Sequence, residues 1–347
     1  MQQFDTIKIS IPPDAVKNVN PDMWIHTQKM DGETGLTDNY KQAKNRSLPV
    51  GVSQLVSKEN GDYQVTFSAK VLGDDYLTGI TQNNWSRGLE ILKPIIDINP
   101  NEVYDNSQVY RCDTTNNIEI EQIGYTPKII YSGLMASKTN HNFREHRYNS
   151  RTKQGIIFSG VQQEKNRMIA YSKSLDLMKS DNKEFIKSLQ HPVRMIEQAT
   201  KQIRFEVNHT SFKSIRDRLQ IETNSLHHVL TSSASVNSNF LKKICKVGTQ
   251  QTHLFDDYQK FNGSGVDYIY YKGIQYIIQQ LEYSDVAVRD FMQLLLGDNF
   301  KYHYYKKEYS VKKILQDMQH QRYGVSGEVS SVICTKLIDA LHYSVAV

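Results

Sequence analysis

The sequence contains only three cysteines, Cys112, Cys245 and Cys334, and they lie far apart in the chain. Their odd number and wide spacing exclude a disulfide framework and a zinc knuckle, and they favour a reducing cytosol. No apolar run approaches the roughly 18 residues that a transmembrane helix needs. The first residues, MQQFDTIKIS, lack the basic start and apolar run of a secretory signal. We therefore expect a chain that works in the cytoplasm.

The overall composition adds few further exclusions. With 347 residues, 39% of them hydrophobic and 23% charged, the chain is typical of an ordinary globular protein of about two domains. The net charge of +5 is compatible with a polyanionic partner such as DNA. Many proteins without a nucleic-acid role are equally basic, so charge alone does not establish that partner.

Hydrophobic periodicity predicts an α+β chain with an antiparallel sheet. Strands are expected at 4–12, 61–73, 108–116, 155–160, 167–175 and 201–208, and helices at 83–94, 182–190 and 211–221. Residues 230–266 are rich in Ser, Thr, Asn and Gly, and long helical patterns follow them. We therefore expect a domain at 1–228, a linker at about 229–264 and a mostly helical domain at 265–347.

Three of the predicted strands carry charged or nucleophilic side chains two residues apart. Because side chains alternate across a sheet, residues at i and i+2 share a face. The pairs are Arg111 with Asp113, Tyr171 with Lys173, and Arg204 with Glu206. If these strands are neighbours with aligned polar faces, Asp113, Glu206, Tyr171 and Lys173 converge on one surface.

Such a set suits phosphoryl transfer. A free tyrosine has a pKa of about 10, so it is a poor nucleophile at neutral pH without a nearby base or cation. Two carboxylates such as Asp113 and Glu206 can hold Mg²⁺ or Mn²⁺, which would polarise a phosphate. A lysine beside Tyr171 would favour the phenolate and pair with the phosphate.

Ordinary structural roles are the alternative at every one of these positions. An arginine and a carboxylate on the exposed face of a strand usually form a solvated ion pair. A tyrosine and a lysine on a strand usually serve packing and solubility. From the pattern alone, both interpretations remain open.

Four blocks in order resemble the replication initiators of filamentous phages (the gene II protein type) and related rolling-circle plasmid initiators. The blocks, which span roughly residues 60–220, are FSAKVLGDDYLTGIT at 67–81, VYRCDTTNN at 109–117, NRMIAYSKSLDL at 166–177 and QIRFEVNHTSFKSI at 202–215. They are similar to the family's Ser-Pro-Ala-Lys block, its Arg-Ile-Asp strand, its Tyr-x-Lys segment and its Arg-Phe-Glu strand. The family's Ser-Pro is Phe67-Ser68 here.

The resemblance implies a metal-dependent DNA nicking–joining enzyme that initiates rolling-circle replication. Tyr171 would attack an origin phosphodiester, giving a 5′-phosphotyrosine and a free 3′-OH. Lys173 would sit by the phosphate, and Asp113 and Glu206 would be ligands of Mg²⁺ or Mn²⁺. Arg111 and Arg204 would orient carboxylates or bind the DNA backbone.

The implied partners and location follow from the same resemblance. They are single-stranded or supercoiled origin DNA and the host's replication helicase and polymerase, in the cytoplasm of a bacterial cell, without a membrane.

A related superfamily of tyrosine nickases uses a His-hydrophobic-His metal motif, which this sequence lacks. The segments HNFREH at 141–146 and LHHV at 226–229 have the wrong spacing for two ligands on one strand face. We expect His141, His146, His227 and His228 to be surface residues or DNA contacts.

Basic segments provide candidate DNA contacts. Residues 138–153 predict a basic loop that could clamp phosphates or simply be solvated. The candidates are Lys70, Arg144, Arg147, Arg151 and Lys153, with Arg111 and Arg204. The segment KYHYYKKEYSVKKI at 301–314 interleaves tyrosines with lysines, and its tyrosines could stack on bases or pack in a core. The C-terminal helices could form a winged-helix-like DNA-binding module.

Two alternatives to the initiator remain. One is a relaxase or transposase with the same tyrosine chemistry. The other is a sequence-specific DNA-binding protein without catalysis, in which Tyr171 only packs.

Overall fold

The computed structural model describes residues 2–30, 37–58, 61–138, 140, 142–148, 155–161, 167–245, 265–281, 283–306, 310–323 and 327–343. The strands are β1 Phe4–Ile11, β2 Val16–Val19, β3 Trp24–Met30, β4 Thr37–Ala43, β5 Val52–Ser57, β6 Tyr63–Ser68, β7 Ile96–Ile98, β8 Val109–Glu119, β9 Phe143–Tyr148, β10 Gly155–Gly160, β11 Arg167–Ser172 and β12 Gln202–His209. The helices are α1 Arg87–Glu90, α2 Pro100–Asn106, α3 Ile120–Ile123, α4 Pro127–Ser137, α5 Lys173–Leu177, α6 Lys183–Ser188, α7 Pro192–Thr200, α8 Phe212–Leu219, α9 Leu226–Thr231, α10 Val236–Ile244, α11 Gly265–Gln280, α12 Asp285–Leu296, α13 Val311–Tyr323 and α14 Gly327–Tyr343.

The chain divides into two compact units that are not consecutive in sequence. Unit 1 contains Met1–Glu119, Lys165–Phe240 and Asp339–Val347, and unit 2 contains Ile120–Glu164 and Leu241–Ile338. The sequence-based division at 1–228 and 265–347 remains a prediction.

Unit 1 is built on a large antiparallel sheet. Its strands are hydrogen-bonded in the order β3-β4-β5-β6-β1-β8-β12-β11, and every neighbouring pair in this order is antiparallel. A separate small sheet pairs β2 with β7. The prediction of an α+β chain with an antiparallel sheet is therefore confirmed.

Strand β12 is buried along its whole length. On one face, Ile203, Phe205 and Val207 lie in the core, as the alternation predicts. The face that carries Arg204 and Glu206 is covered as well. Protein therefore packs on both sides of β12, and its polar side chains are not on a solvated surface.

A 3-10-helical segment, Ala69–Thr78, covers part of that polar face, and we call it the cover segment. Sequence alternation predicts a strand through residue 73, but strand β6 ends at Ser68. The segment is kinked at Gly73, whose φ of 61° lies in the left-handed region that favours glycine. The kink directs Tyr76 onto the sheet, where its ring lies 4.9 Å from the Arg204 guanidinium.

Two other predicted elements differ in the structure. The helix expected at 83–94 is reduced to the single turn α1 among other turns, and Pro94 follows it. The strand expected at 167–175 ends at Ser172, and helix α5 begins at Lys173.

Unit 2 is mainly helical and includes the hairpin of β9 and β10. The hairpin corrects the predicted basic loop at 138–153, because residues 143–148 form a strand. The apolar side chains of α11, α12 and α13 form a core that includes Ile278, Met292 and Leu315.

A buried ion group also lies in unit 2, and we call it the lysine cluster. The Lys138 ammonium is 2.5 Å from a carboxylate oxygen of Glu145 and 2.9 Å from one of Asp285.

Candidate active site

Tyr171 lies in β11 and points to the polar face of the sheet. In the antiparallel register it is opposite Arg204 of β12, and Arg204 is opposite Asn117 of β8. Directly opposed residues point to the same face, and alternation along β12 brings Glu206 to that face too. Tyr171 is only 3% exposed, so its hydroxyl is held within the protein.

The Tyr171 hydroxyl contacts both a carboxyl group and an ammonium group. It donates a hydrogen bond of 2.6 Å to Oε1 of Glu206, and it accepts one of 2.8 Å from Nζ of Lys173. The predicted convergence of these three residues is therefore present in the structure.

Lys173 reaches Tyr171 by a route that differs from the predicted one. It is the first residue of α5, so it does not share a strand face with Tyr171. Side chains of a helix lean toward its N-terminus, and here that direction leads back to the end of β11. The Lys173 ammonium also lies 3.1 Å from Asp176, which is three residues later on the same helix.

Arg204 and Asp5 complete what we call the tyrosine cluster, together with Tyr171, Glu206 and Lys173. Nη1 of Arg204 lies 2.6 Å from Asp5 and 3.9 Å from Glu206. Arg204 is fully buried. Of the two roles expected for it, orienting carboxylates matches this placement, and contact with the DNA backbone does not.

A β-bulge brings Asp5 to this face. Phe4 of β1 is opposite Thr114 of β8, but Thr6 is already opposite Asp113. Asp5 is therefore the extra residue on its strand, and such a residue is re-aimed relative to regular alternation. The bulge supplies a carboxylate that contacts Arg204.

Burial shifts the acidities within the tyrosine cluster. It raises the pKa of Glu206 to about 7, with a further contribution from the charge of Asp5. Burial and the adjacent Glu206 raise the pKa of Tyr171 well above its ordinary value. Burial alone lowers the pKa of Lys173, but the acidic groups Tyr76, Asp5 and Glu206 outweigh it and raise that pKa. At neutral pH the cluster thus combines a neutral phenol, an ammonium and a carboxyl that titrates near 7.

Asp113 belongs to a neighbouring polar group instead. It accepts a hydrogen bond of 2.8 Å from Asn208 and forms an ion pair of 3.0 Å with Arg111. Glu206 is opposite Thr115, which is two residues from Asp113, so Glu206 and Asp113 are diagonal neighbours about 7–8 Å apart on the same face. The structure therefore places the two predicted metal ligands on one face but in separate hydrogen-bond networks.

The carboxylates of this face are compatible with a divalent cation in chemistry and in separation. Hard oxygen ligands from Asp113 and Glu206 would suit Mg²⁺ or Mn²⁺, and both side chains lie on the same face of the paired strands β8 and β12. Among the residues that the structure describes, no group of three His, Cys, Asp or Glu residues is arranged to hold a metal. A cation here would therefore need ligands from water or phosphate besides the two carboxylates.

The expected DNA contacts are found in different surroundings. Lys70 of the cover segment is half-buried, and its pKa is lowered by burial and by the charge of Lys173, which places it beside the tyrosine cluster. Arg144 is half-buried on β9, and Arg147 lies on the same strand. Arg151 and Lys153 lie outside the described residues.

Other sequence candidates have mixed placements. Tyr304 is buried and donates to Asp285, whereas Tyr302 and Tyr305 are partly exposed. His146 contacts the Ser159 hydroxyl, and His227 lies with its ring 5.1 Å from that of Tyr104. His141 lies outside the described residues.

Sequence reasoning missed three residues of the site. The signal for Asp5 is an interruption of the alternation in FDTIKISI, where two polar residues separate Phe4 and Ile7 although both lie on the apolar face. Tyr76 closes the face with its ring 5.0 Å from the Lys173 ammonium, but it lies in a segment predicted to be partly a strand. Asn117 accepts a hydrogen bond of 2.8 Å from Nε of Arg204. It is two residues from both Thr115 and Glu119 on β8, so strand alternation places these three residues on one face and could have identified Asn117.

No protein-family model matches this chain, and no curated protein matches it either. None of the helices in the described part of the chain is both long and apolar enough to cross a membrane. The case for function therefore depends on the residues of the tyrosine cluster and on the sequence blocks that contain them.

Proposed function

We propose that this chain is a site-specific single-strand DNA endonuclease and ligase that initiates rolling-circle replication, with Tyr171 as the nucleophile. The observation that carries the proposal is the pair of short hydrogen bonds at the Tyr171 hydroxyl, one to Glu206 and one to Lys173. A phenol held between a carboxylate and an ammonium has both a proton acceptor and a cation that stabilises the phenolate.

The cleavage step assigns each proton and bond. Tyr171 transfers its hydroxyl proton to Glu206, and the phenolate oxygen attacks the scissile phosphorus. A bond forms between the tyrosine oxygen and phosphorus as the bond from phosphorus to the 3′ oxygen breaks. The 3′ oxygen takes up a proton and leaves as a free 3′-OH, while the 5′ end remains linked to Tyr171. Joining is the reverse transfer, in which a 3′-OH attacks the phosphotyrosine.

Positive charge around the hydroxyl supports the same step. Negative charge accumulates on the phosphoryl oxygens in the transition state, and fixed cations in a buried site stabilise it strongly. Lys173 is buried beside the nucleophile and Lys70 lies nearby. Arg204 holds Asp5 and lies 3.9 Å from Glu206, so it keeps the carboxylates in place.

The proposal includes Mg²⁺ or Mn²⁺, with Asp113 and Glu206 as candidate ligands. A divalent cation at this position would polarise the phosphate and offset charge in the transition state. Asp113 would exchange a present hydrogen bond, from Asn208 or Arg111, for the cation. Glu206 would bind the cation through Oε2, which leaves Oε1 to accept from Tyr171.

Access to Tyr171 requires movement of the Tyr76 side chain. The tyrosine is nearly fully buried, and the ring of Tyr76 lies over the cations of the cluster. A DNA strand would therefore displace this ring before its phosphate contacts the hydroxyl. The proposed partners are origin DNA, as a single strand or in a supercoil, and the replication helicase and polymerase of a bacterial cytoplasm.

The test is formation of a covalent protein–DNA adduct. Wild-type protein is incubated with Mn²⁺ and supercoiled DNA that carries a candidate origin, and adduct and nicked circle are quantified. Tyr171→Phe is expected to give neither product while DNA binding is retained, because the variant loses only the attacking oxygen.

Tyr304→Phe is the matched control. Tyr304 is also a buried tyrosine whose hydroxyl donates to a carboxylate, Asp285, at 3.1 Å. It should form the adduct at the wild-type level. Normal nicking by Tyr171→Phe would exclude Tyr171 as the nucleophile, and specific DNA binding without any adduct in the wild type would favour the non-catalytic DNA-binding alternative.

A further inference from the structure

A cavity of about 840 Å³ lies in unit 1 beside the tyrosine cluster. Its walls come from the cover segment, the ends of β8 and β12, and helix α7. This volume is within the range of about 300–1,000 Å³ that is usual for small-molecule and cofactor sites. None of the residues assigned above as nucleophile, base or metal ligand lines it, so the cavity is a separate feature.

The lining combines amides with apolar side chains. Gln198 supplies an amide and Gln202 an amide oxygen, and Leu72 and Met195 supply apolar surface. The amide of Asn117 also lines the cavity, but it is already hydrogen-bonded to Leu77 and Arg204. A nucleobase presents the complementary chemistry, because its edge carries hydrogen-bond donors and acceptors and its two faces are apolar. Asparagine and glutamine are the side chains that pair with base edges in a bidentate manner.

One amide oxygen in this wall has no hydrogen-bond partner. Gln202 is buried, and its Nε2 donates to Glu119 at 2.6 Å, which fixes the orientation of the amide. Its Oε1 makes no hydrogen bond to any residue that the structure describes. A buried acceptor without a partner is costly, and an N–H group of a bound base would satisfy it.

The charged residues of the cavity are two aspartates and two arginines, and Arg194 is the arginine that has no ion pair in the described residues. Asp74 accepts hydrogen bonds from the backbone N–H groups of Gln190 and His191, and Asp75 forms an ion pair of 2.7 Å with Arg87. Arg194, which is exposed on α7, forms no ion pair in the described part of the chain. The cavity therefore offers a guanidinium for a phosphate in addition to amides for a base.

The cavity is linked to the tyrosine cluster through one side chain. Asn117 lines the cavity, and its Oδ1 accepts the Nε hydrogen bond of Arg204. Arg204 in turn contacts Asp5 and lies near Glu206. A ligand in the cavity would thus contact the wall that holds the residues around Tyr171.

We propose that this cavity binds one nucleotide of a single DNA strand, with the base among the amides and its phosphate at Arg194. The assignment of DNA as the source rests on the proposed function, whereas the ligand chemistry, a nucleoside monophosphate, is read from the cavity itself.

The first experiment measures ligand binding to the full chain by calorimetry, without metal and without turnover. The four 5′-deoxynucleoside monophosphates are compared with deoxyribose 5-phosphate and with inorganic phosphate. At least one nucleotide is expected to bind more tightly than both base-free probes. Equal binding of nucleotide and deoxyribose 5-phosphate would overturn base recognition, and absence of nucleotide binding would overturn the site.

Variants locate the binding in the cavity. Arg194→Gln should weaken nucleotide binding about tenfold, as expected when a charge-assisted hydrogen bond is lost. Arg194 is exposed, so this change does not endanger folding. Gln202→Met removes the unpartnered acceptor and should reduce the preference for nucleotide over deoxyribose 5-phosphate. Arg216→Gln, an exposed arginine on α8 outside the cavity, should leave binding unchanged. Wild-type binding by Arg194→Gln would overturn the proposed role of that residue.

Oligonucleotides distinguish the two sources of the ligand. In Tyr171→Phe protein, an abasic position moved along a single-stranded origin fragment should weaken binding at one position, and the effect should vanish in Arg194→Gln. If free nucleotides bind but no fragment competes with them, the ligand is a free nucleotide and the DNA assignment fails. Nucleotide binding by a chain that forms no adduct would reject the proposed nickase and keep the cavity assignment, whereas adduct formation without nucleotide binding would do the opposite.

Discussion

The tyrosine cluster of unit 1 and the lysine cluster of unit 2 contain the same types of residue in different arrangements. Each has a buried lysine that pairs with a carboxylate, and a tyrosine that donates to a carboxylate, Tyr171 to Glu206 and Tyr304 to Asp285. They differ at the carboxylate that accepts the phenol proton. Burial raises the pKa of Glu206 to about 7. Burial would also raise the pKa of Asp285, but its ion pair and hydrogen bond with Lys138 outweigh it and lower that pKa.

The two carboxylates differ in how readily they can accept a proton from the tyrosine. A carboxylate with a lowered pKa holds its charge firmly and is a weak proton acceptor, whereas one that titrates near neutrality can take and return a proton. The lysine also differs in position, because Lys173 contacts the phenol oxygen directly while Lys138 contacts two carboxylates. If Tyr171 is the nucleophile, as we propose, the same three residue types support chemistry in one unit and packing in the other.

The largest expected effect of breaking this comparison is on nicking by Glu206→Gln. Loss of a general base typically costs about 10²–10⁴-fold in rate. We expect a reduction of that size in single-turnover nicking, with DNA binding unchanged because Glu206 is buried. Asp285→Asn, the corresponding change in the lysine cluster, should nick at close to the wild-type rate. Equal rates for the two variants would remove the distinction between the clusters.

For stability we expect the opposite order, with a larger loss from a change in the lysine cluster than from the corresponding change in the tyrosine cluster. Lys138→Met leaves Glu145 and Asp285 buried without their shared cation, and breaking such a group costs about 3–5 kcal/mol. Lys173→Met should cost less, because Arg204 still offsets Asp5 and Glu206. The free energy of unfolding in urea, followed by circular dichroism, measures both. A larger loss for Lys173→Met would show that Arg204 does not compensate in this way.

The pH dependence of nicking sharpens the role of Glu206. Its pKa is raised to about 7, and only the carboxylate form can accept the proton of Tyr171. The rate should therefore fall about tenfold for each pH unit below that value and level off above it. Single-turnover rates between pH 5 and 8, in protein that remains folded throughout, provide the measurement. The residual activity of Glu206→Gln should not fall in this way below pH 7. If the fall persists in the variant, a group other than Glu206 causes it.

The smallest expected effect concerns Tyr304→Phe. The change removes one hydrogen bond to Asp285, which keeps its ion pair with Lys138, so the loss of stability should be about 1 kcal/mol. Urea unfolding of this variant beside the wild type tests the value. A loss comparable to that of Lys138→Met would mean that the tyrosine is an essential member of the lysine cluster.

The sequence was informative where the backbone is regular. Alternation in IRFEV predicts that Arg204 and Glu206 share a face, and Tyr171 joins them provided that its strand is a neighbour, as the register between β11 and β12 has it. These inferences succeed because a strand of period two has only two faces. They require no knowledge of what covers the sheet.

The remaining features depend on irregular backbone or on distant packing. The bulge at Asp5 interrupts the alternation between Phe4 and Ile7, but that interruption does not indicate that the extra residue contacts Arg204. The burial of Arg204 depends on Tyr76, which is more than one hundred residues away in sequence and lies in a kinked segment. Strand β9 was missed because its residues FREHRY carry charges at positions where a core strand would be apolar.

The junction between β11 and α5 has a consequence for recognising relatives of this chain. Lys173 approaches the phenol from the first turn of a helix, so its spacing of two residues from Tyr171 does not come from strand alternation. Residues three apart on a helix are neighbours, and Asp176 already lies 3.1 Å from the Lys173 ammonium. A related protein that exchanged this lysine and aspartate would keep the pair near the tyrosine. A search that insists on Tyr-x-Lys would overlook it. One that asks for a tyrosine in the last two residues of a strand, followed by a short helix with a lysine, would find it.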